Sequence, residues 1–177
     1  RLPASMNQVE YFVRGPAENY LDRNAGSMIG LYKSTAEELY FPYVRPQENG
    51  HHTDTRWVSL STGKKGLLIQ ADNTIGFNAL RNSIEDFDDE EATGLPRQWS
   101  NFTPEQVANH DEAAAKNVLR RQHHINDITP RDFVEVCVDL KQQGVAGYDS
   151  WGSRPEPAYI LPANREYNWG FTLIPLK

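Results

Sequence analysis

The chain has 177 residues, of which 38% are hydrophobic and 11% aromatic, and it carries a net charge of −6. This is enough apolar material for one domain with a real core, and the acidity argues against a nucleic-acid partner, which requires basic patches. No apolar run reaches membrane-spanning length, which predicts a soluble chain, and a single cysteine excludes an internal disulfide.

The first half of the chain is dominated by strand patterns. Apolar and polar side chains alternate at residues 8–14, which predicts a half-buried strand that Gly15-Pro16 ends. Residues 29–36 match no single type of element. Residues 41–52 contain two prolines and a glycine, so we expect an extended loop there.

Three short β-type runs follow, and their spacing predicts consecutive antiparallel strands. They cover residues 56–61, 66–71 and 75–80, with turn signals at Gly63 and Asp72-Asn73 between them.

The pattern changes at residues 88–122, which we interpret as an insertion that carries a helix. Thr103 suits the N-cap, Pro104 the first helical position, and Gln106 closes a capping box. An alanine-rich stretch then sustains the helix, so we predict it over residues 103–122.

Strand patterns return after the insertion, at residues 132–141, 158–161 and 165–174. We therefore predict a mostly-β fold, a sandwich of antiparallel strands with one helical excursion, as a single domain over residues 1–177.

The stretch from Gly144 to Trp151 is the candidate functional loop. Gly144 and Gly147 free the backbone, while Asp149 and Ser150 are suited to hydrogen-bond back onto it and hold one shape. Trp151 then offers a large flat ring that can stack on a planar or sugar-like face. Taken alone, the loop favours the alternative that Trp151 plugs the end of a sheet.

Other chemical groups in the sequence favour structural roles. His51-His52 and His123-His124 are adjacent pairs without metal-ligand spacing, so we interpret them as structural or surface histidines. The acidic run at residues 85–91 lacks the glycine of a calcium loop. Cys137 lies inside a strand pattern and is predicted to be a core residue rather than a nucleophile.

Two further segments are rich in groups that need partners: residues 15–23, and residues 43–50 followed by Arg56-Trp57. Each mixes carboxylates, tyrosines and guanidinium groups. Arginine–carboxylate pairs are therefore expected to lock these loops together over the strands.

Three ordered motifs together resemble the C-terminal domain of the large bacterial β-galactosidases of glycoside hydrolase family 2. The family motif GPxExYxDR corresponds to residues 15–23, and YVxPQENG…RW corresponds to residues 43–57. The third motif, GxGGDDSW, corresponds to residues 144–151, with Ala146 in place of a glycine and Tyr148 in place of an acid.

The resemblance implies a β supersandwich similar to the galactose mutarotase fold, of which this chain is the C-terminal part. It implies a parent that hydrolyses terminal β-galactosides such as lactose with retention, through two glutamates on a barrel outside this chain. Trp151 is implied to stack on the sugar at the mouth of the active site. No cofactor is implied for this chain, although the family often uses Mg and Na in other domains. The implied partners are the substrate, the catalytic barrel of the same polypeptide and further copies in a homo-oligomer.

Two alternatives from other classes stay open. The chain could be an autonomous carbohydrate-binding module, which titration with galactose or lactose would reveal. It could instead be a mutarotase-like domain, which needs a histidine acid or base and a carboxylate poised over the ring.

Overall fold

The computed structural model describes residues 1–43, 49–87, 125, 128–149 and 151–177. Within them the strands are β1 (Leu2–Pro3), β2 (Gln8–Gly15), β3 (Met28–Thr35), β4 (His52–Ser61), β5 (Gly66–Leu80), β6 (Phe133–Asp139) and β7 (Phe171–Leu176). Two short 3-10 turns, Ile84–Asp86 and Pro157–Tyr159, also lie in this part of the chain. The predicted mostly-β fold is confirmed. No helix in the described ranges is long and apolar enough to cross a membrane.

All the strands join one antiparallel sheet around the long strand β5. The order is β1-β6-β5-β4-β2-β3, and β7 also pairs with β5. The first half of β5 pairs with β7, from Gly66 to Ala71, and its second half pairs with β6, from Gly76 to Leu80. β4 accompanies β5 on the opposite side along both halves.

One face of the sheet forms the core. Alternate residues of β2, β4 and β5 are almost completely buried there, as the period of two predicts: Val9, Tyr11, Val13, Val58, Leu60, Ile69, Ile75 and Phe77. Burying each such side chain stabilises the fold by about 1.5–3 kcal/mol. The core face therefore holds the central strands together. The intervening residues of β2 and of the first half of β5 are more exposed, whereas residues 75–80 of β5 are all buried.

The predicted turn at Asp72-Asn73 was wrong, because residues 66–71 and 75–80 belong to the single strand β5. The strand changes neighbours at this point, leaving β7 and meeting β6 a few residues later. Its pairing with β4 also shifts register here, between Thr55 and Trp57. The polar pair thus marks a change of partner within a strand and not a reversal of the chain. The turn at Gly63 is confirmed, and this glycine has a φ of +82°.

The predicted strand at residues 158–161 was also wrong. Pro157 starts a 3-10 turn there, closed by the Tyr159 N–H donating to the Glu156 carbonyl at 2.8 Å. The last strand begins later than predicted, at Phe171, because its partner segment in β5 ends at Ala71.

All but the last of the unassigned residues 29–36 belong to the edge strand β3, which pairs only with β2 on the path through the sheet. The predicted helix at residues 103–122 and most of the insertion at residues 88–122 lie outside the described residues.

Contacts divide the chain into two compact units. One unit comprises residues 1–41, 49–81 and 131–177 and contains the whole sheet. The other comprises residues 42–48 and 82–130; in its described part the Asn82 side chain donates to the Thr129 carbonyl at 2.9 Å.

Candidate functional site

The candidate loop starts after β6 and is held by a carboxylate from far away in the sequence. The N–H of Val145 donates to Oδ1 of Asp22 at 3.0 Å, and the N–H of Ala146 donates to Oδ2 at 2.8 Å. The N–H of Gly144 donates to the carbonyl of Tyr159 at 2.8 Å. Three consecutive backbone N–H groups are therefore satisfied by groups outside the loop, which fixes where it leaves the sheet.

Gly144 lies where a larger residue does not fit. A Cβ atom there would be 2.6 Å from Oδ2 of Asp22 and 2.9 Å from Cβ of Tyr159. Two later residues of the loop have left-handed backbone, with φ of +55° at Ala146 and +84° at Gly147. This conformation suits glycine and costs an alanine about 1 kcal/mol or more. Ala146 is nevertheless buried, so packing holds it in place.

The second half of the loop is closed by its own side chains. Oδ1 of Asp149 accepts hydrogen bonds from the N–H groups of Trp151 at 2.8 Å and Ser153 at 3.2 Å. The hydroxyl of Ser153 in turn accepts from the N–H of Tyr148 at 3.0 Å. Ser150, also expected to support the loop, lies outside the described residues.

The indole of Trp151 projects from this braced loop and is 93% exposed. It does not plug the end of the sheet in this chain, which was the alternative interpretation. The ring therefore has a free face, and the backbone that carries it is held by hydrogen bonds. These are the two properties that stacking on a flat ligand requires.

The loop at residues 15–23 connects the other two motifs to each other. Its Glu18 accepts a hydrogen bond from the N–H of Gly50 at 2.7 Å, and its Asp22 holds the candidate loop. We expected arginine–carboxylate pairs to lock these segments. The bonds described here run from backbone N–H groups to carboxylates and are charge-assisted. Arg45 lies outside the described residues, so the arginine–carboxylate pairing stays a prediction.

Asn19 anchors the same loop from the inside. Its side-chain amide donates to the carbonyls of Arg14 at 2.7 Å and Ala17 at 3.0 Å. Its Oδ1 accepts from both the N–H and the hydroxyl of Thr53, at 3.2 Å and 2.5 Å. The side chain is buried and all four of its hydrogen-bonding positions are used, so it sets the path of the loop.

His51 and His52 are both buried beneath this loop. The His51 ring stacks on Tyr20 with centroids 5.6 Å apart, and burial together with the neighbouring His52 lowers the pKa of His51 to about 4. The ring nitrogens of His52 face the carbonyls of Gly50 at 2.9 Å and Pro16 at 3.0 Å, and burial lowers its pKa as well. Both rings are thus buried and in contact with neighbouring protein groups, which is typical of histidines with a structural role.

Metal binding finds no support among the described side chains, where no group of three or more histidines, cysteines, aspartates or glutamates could hold an ion. His123 and His124 lie outside the described residues. Cys137 is half-buried on β6, and its N–H donates to Oδ1 of Asn78 at 3.2 Å.

Comparison with known proteins decides the family. A sequence profile of the family described as "Beta galactosidase small chain" matches residues 1–173. This chain belongs to that family. The β-galactosidase of Priestia megaterium strain DSM 319 is 33% identical over 174 residues, which is 98% of this chain and 14% of the relative. The β-galactosidase of Vibrio cholerae is 28% identical over 97% of this chain and 13% of the relative. That of Arthrobacter sp. strain B7 is 37% identical over 91 residues, which is 48% of this chain and 9% of the relative.

This member of the β-galactosidase small-chain family thus spans about 14% of the length of the relatives that it matches along almost its whole sequence. The chain is therefore comparable to one domain of those enzymes.

Sequence reasoning missed two residues that shape the candidate site of this β-galactosidase small-chain member. The sequence indicates only that Asp22 belongs to a loop rich in polar groups, yet its carboxylate binds the candidate loop directly. The sequence pattern predicts a strand at Tyr159, yet its carbonyl accepts a hydrogen bond from the N–H of Gly144 in a turn. A spacing of 123 residues between Asp22 and Val145 gives no local pattern that could have revealed the contact.

Proposed function

We propose that this chain is the C-terminal part of the last domain of a retaining β-galactosidase that hydrolyses terminal β-galactosides such as lactose. The family match and the names of the relatives support this proposal. The catalytic glutamates would lie on a barrel elsewhere in the polypeptide, so the isolated chain is expected to be inactive. Its partners are then the substrate and the remaining domains.

Trp151 is the residue that we propose contacts the substrate. The observation that carries this role is its 93% exposed indole on a loop held at one end by Asp22 and at the other by Asp149. An ordered loop loses little further conformational entropy when a ligand binds. The ring would stack on the sugar on the leaving-group side, forming one wall of an active site whose acid–base and nucleophilic chemistry is supplied by other domains.

The direct experiment is Trp151→Ala in the full-length enzyme. Loss of stacking worth about 1–3 kcal/mol should raise KM for lactose roughly 5- to 150-fold. Trp151→Phe, which keeps a smaller ring, should retain part of the binding.

Trp169→Ala is the matched control, because this indole is also exposed but lies outside the loop. It should leave KM near the wild-type value. An unchanged KM for lactose in a folded Trp151→Ala enzyme would refute the stacking role.

A further inference from the structure

The rings of Tyr20 and His51 stack where the loop at residues 15–23 meets the residue that precedes β4. Their centroids are 5.6 Å apart, their planes are 21° from parallel, and both side chains are buried. The His51 ring also lies against Gly76 of β5, where an added Cβ would be only 2.3 Å from Cε1 of the imidazole. The imidazole is therefore in contact with both the loop and the central strand of the sheet.

The backbone carries this contact on to the carboxylate that holds the candidate loop. The N–H of Asn19 donates to the carbonyl of His51 at 2.7 Å, which fixes the loop beside the stacked rings. The N–H of Arg23 donates to the carbonyl of Tyr20 at 2.8 Å and closes a turn that contains Asp22. Because Asp22 binds two N–H groups of the candidate loop, a movement of Tyr20 displaces the carboxylate on which that loop depends.

The buried imidazole of His51 is poorly placed to carry a charge. Its Nδ1 has no hydrogen-bond partner among the residues that the structure describes. The titratable and charged groups that the neighbouring elements contribute near this ring are Glu18, Tyr20, Asp22 and Arg23 of the loop, His52 at the start of β4 and Asp139 of β6, the register partner of Gly76. Burial, together with His52, lowers the pKa of His51 to about 4. In mild acid the covered ring therefore excludes a proton that a solvent-exposed imidazole binds.

We propose that Tyr20 and His51 are positioning residues for the candidate loop, and that opening of the loop at residues 15–23 exposes His51 to a proton while it releases the candidate loop. The two rings act through Asp22 and do not touch a ligand themselves. Since the proton binds only the open arrangement, acid shifts the equilibrium toward it. The consequence for substrate binding rests on the proposed role of Trp151, whereas the effect on the candidate loop does not.

The first test is hydrogen exchange of the full-length enzyme at pH 7 and pH 5, followed by mass spectrometry in peptides that cover residues 144–151. Dividing the observed rates by the intrinsic rates at each pH gives the protection of the loop. With pKa values of 6.5 for the exposed imidazole and about 4 for the buried one, protection should fall about 20-fold between the two pH values. His51→Gln cannot bind this proton and should lose that dependence. It retains Glu18 and Asp22, so any effect of those carboxylates is the same in both proteins.

The second test is Tyr20→Leu, which removes the aromatic partner of His51 and keeps an apolar side chain. At pH 7 exchange at residues 144–151 should accelerate roughly 2- to 12-fold, the range expected when an aromatic pair is lost. In the full-length enzyme KM for lactose should rise while kcat is unchanged, because the candidate loop contributes binding and no reacting group.

Two variants serve as controls for this second test. Tyr20→Phe keeps the ring and loses only the 3.4 Å contact of the hydroxyl with Glu18, so it should behave like the wild type. Val58→Ala removes buried apolar atoms in the middle of β4 and lowers stability without altering the stack. It should leave both the exchange of residues 144–151 and KM near their wild-type values.

Three results would overturn the proposal. These are an equal pH dependence of protection in the wild type and His51→Gln, wild-type exchange in a folded Tyr20→Leu enzyme, and an acceleration in Val58→Ala as large as that in Tyr20→Leu. If Tyr20→Leu does not fold, the comparison of His51→Gln with the wild type decides by itself. Faster exchange in Tyr20→Leu with an unchanged KM would support the positioning role and refute the contact of Trp151 with substrate, so the two proposals fail separately.

Discussion

Asp22 and Ala146 are 124 residues apart in the chain, and the carboxylate of the first accepts a 2.8 Å hydrogen bond from the backbone of the second. Its other oxygen binds the adjacent N–H of Val145. A single carboxylate thus accepts hydrogen bonds from two successive backbone N–H groups. Anions commonly hold the start of a turn in this way. It ties the position of the exposed Trp151 to the loop at residues 15–23.

Removing this carboxylate should loosen the candidate loop. Asp22→Ala deletes two charge-assisted hydrogen bonds at a partly exposed site, so the free energy of unfolding should fall by about 1–2 kcal/mol. Hydrogen exchange at the amides of Val145 and Ala146 should accelerate, which mass spectrometry or NMR can measure. In the full-length enzyme KM for lactose should rise, but less than for Trp151→Ala.

Asp22→Asn keeps one acceptor oxygen and should give an intermediate exchange rate. Asp132→Ala, at an exposed carboxylate outside the loop, is the control and should leave exchange unchanged. Protection of both amides in Asp22→Ala at the wild-type level would contradict the role of Asp22.

Gly144→Ala should displace the loop by steric overlap. The new Cβ would lie 2.6 Å from Oδ2 of Asp22 and 2.9 Å from Tyr159, closer than such atoms can approach. We expect a loss of about 1–3 kcal/mol in the free energy of unfolding, measured by urea titration. Gly26→Ala is the matched control, since nothing lies within 4 Å of its added Cβ. It should be neutral or slightly stabilising, by up to about 1 kcal/mol. Equal stabilities of the two variants would show that the loop at Gly144 adapts freely.

Strands were predictable from the sequence wherever one face is buried and the other is open. β2 is the clearest case, because Val9, Tyr11 and Val13 alternate with polar residues and all three are buried. The edge strand β3 was not predictable, since exposed apolar residues such as Leu31 break the alternation. The continuity of β5 through Asp72-Asn73 depends on which strands flank it. The residue types at this point do not reveal which strands those are.

The candidate site was predictable only in its local part. Asp149 bonds to backbone groups two and four residues away, a pattern that sequence reasoning can recognise. The long-range contacts of Asp22, Glu18 and Asn19 arise from how the sheet brings loops together. They could not be derived from spacing, although the density of polar groups at residues 15–23 indicated that the loop needed partners.

Asn19→Ala should be among the more destabilising single changes in the described part of the chain. It removes a buried amide that bonds to Arg14, Ala17 and Thr53, leaving buried backbone groups without their partner. Because each unsatisfied buried group costs about 1–3 kcal/mol, we expect a loss of at least about 2 kcal/mol in urea unfolding. Asn19→Asp should also be destabilising, because its carboxylate would face two carbonyl oxygens. Asn168→Ala, at an exposed amide, is the control and should stay within about 0.5 kcal/mol of wild type. A loss as small as that of the control would show that water replaces the Asn19 amide.

Stability should fall in mildly acidic solution because of His51. Burial, with the neighbouring His52, lowers the pKa of this imidazole from 6.5 to about 4. Within the described part of the chain its Nδ1 is buried without a hydrogen-bond partner. If the ring took up a second proton, the N–H at this nitrogen would therefore have no acceptor. Between these two pKa values the unfolded chain binds a proton that the folded chain does not. The resulting stabilisation is fully present above pH 6.5 and is lost as the pH falls toward 4, with a total of about 3 kcal/mol.

His51→Gln removes this titration and is the variant that isolates it from the carboxylates and from His52. Urea unfolding of both proteins at pH 7 and pH 4.5 gives the difference directly. The wild-type chain should lose more stability between the two pH values than His51→Gln does, by about 2 kcal/mol. Equal losses in the two proteins would mean that His51 accepts its proton in the folded state, through a movement of the ring away from Tyr20 and toward solvent.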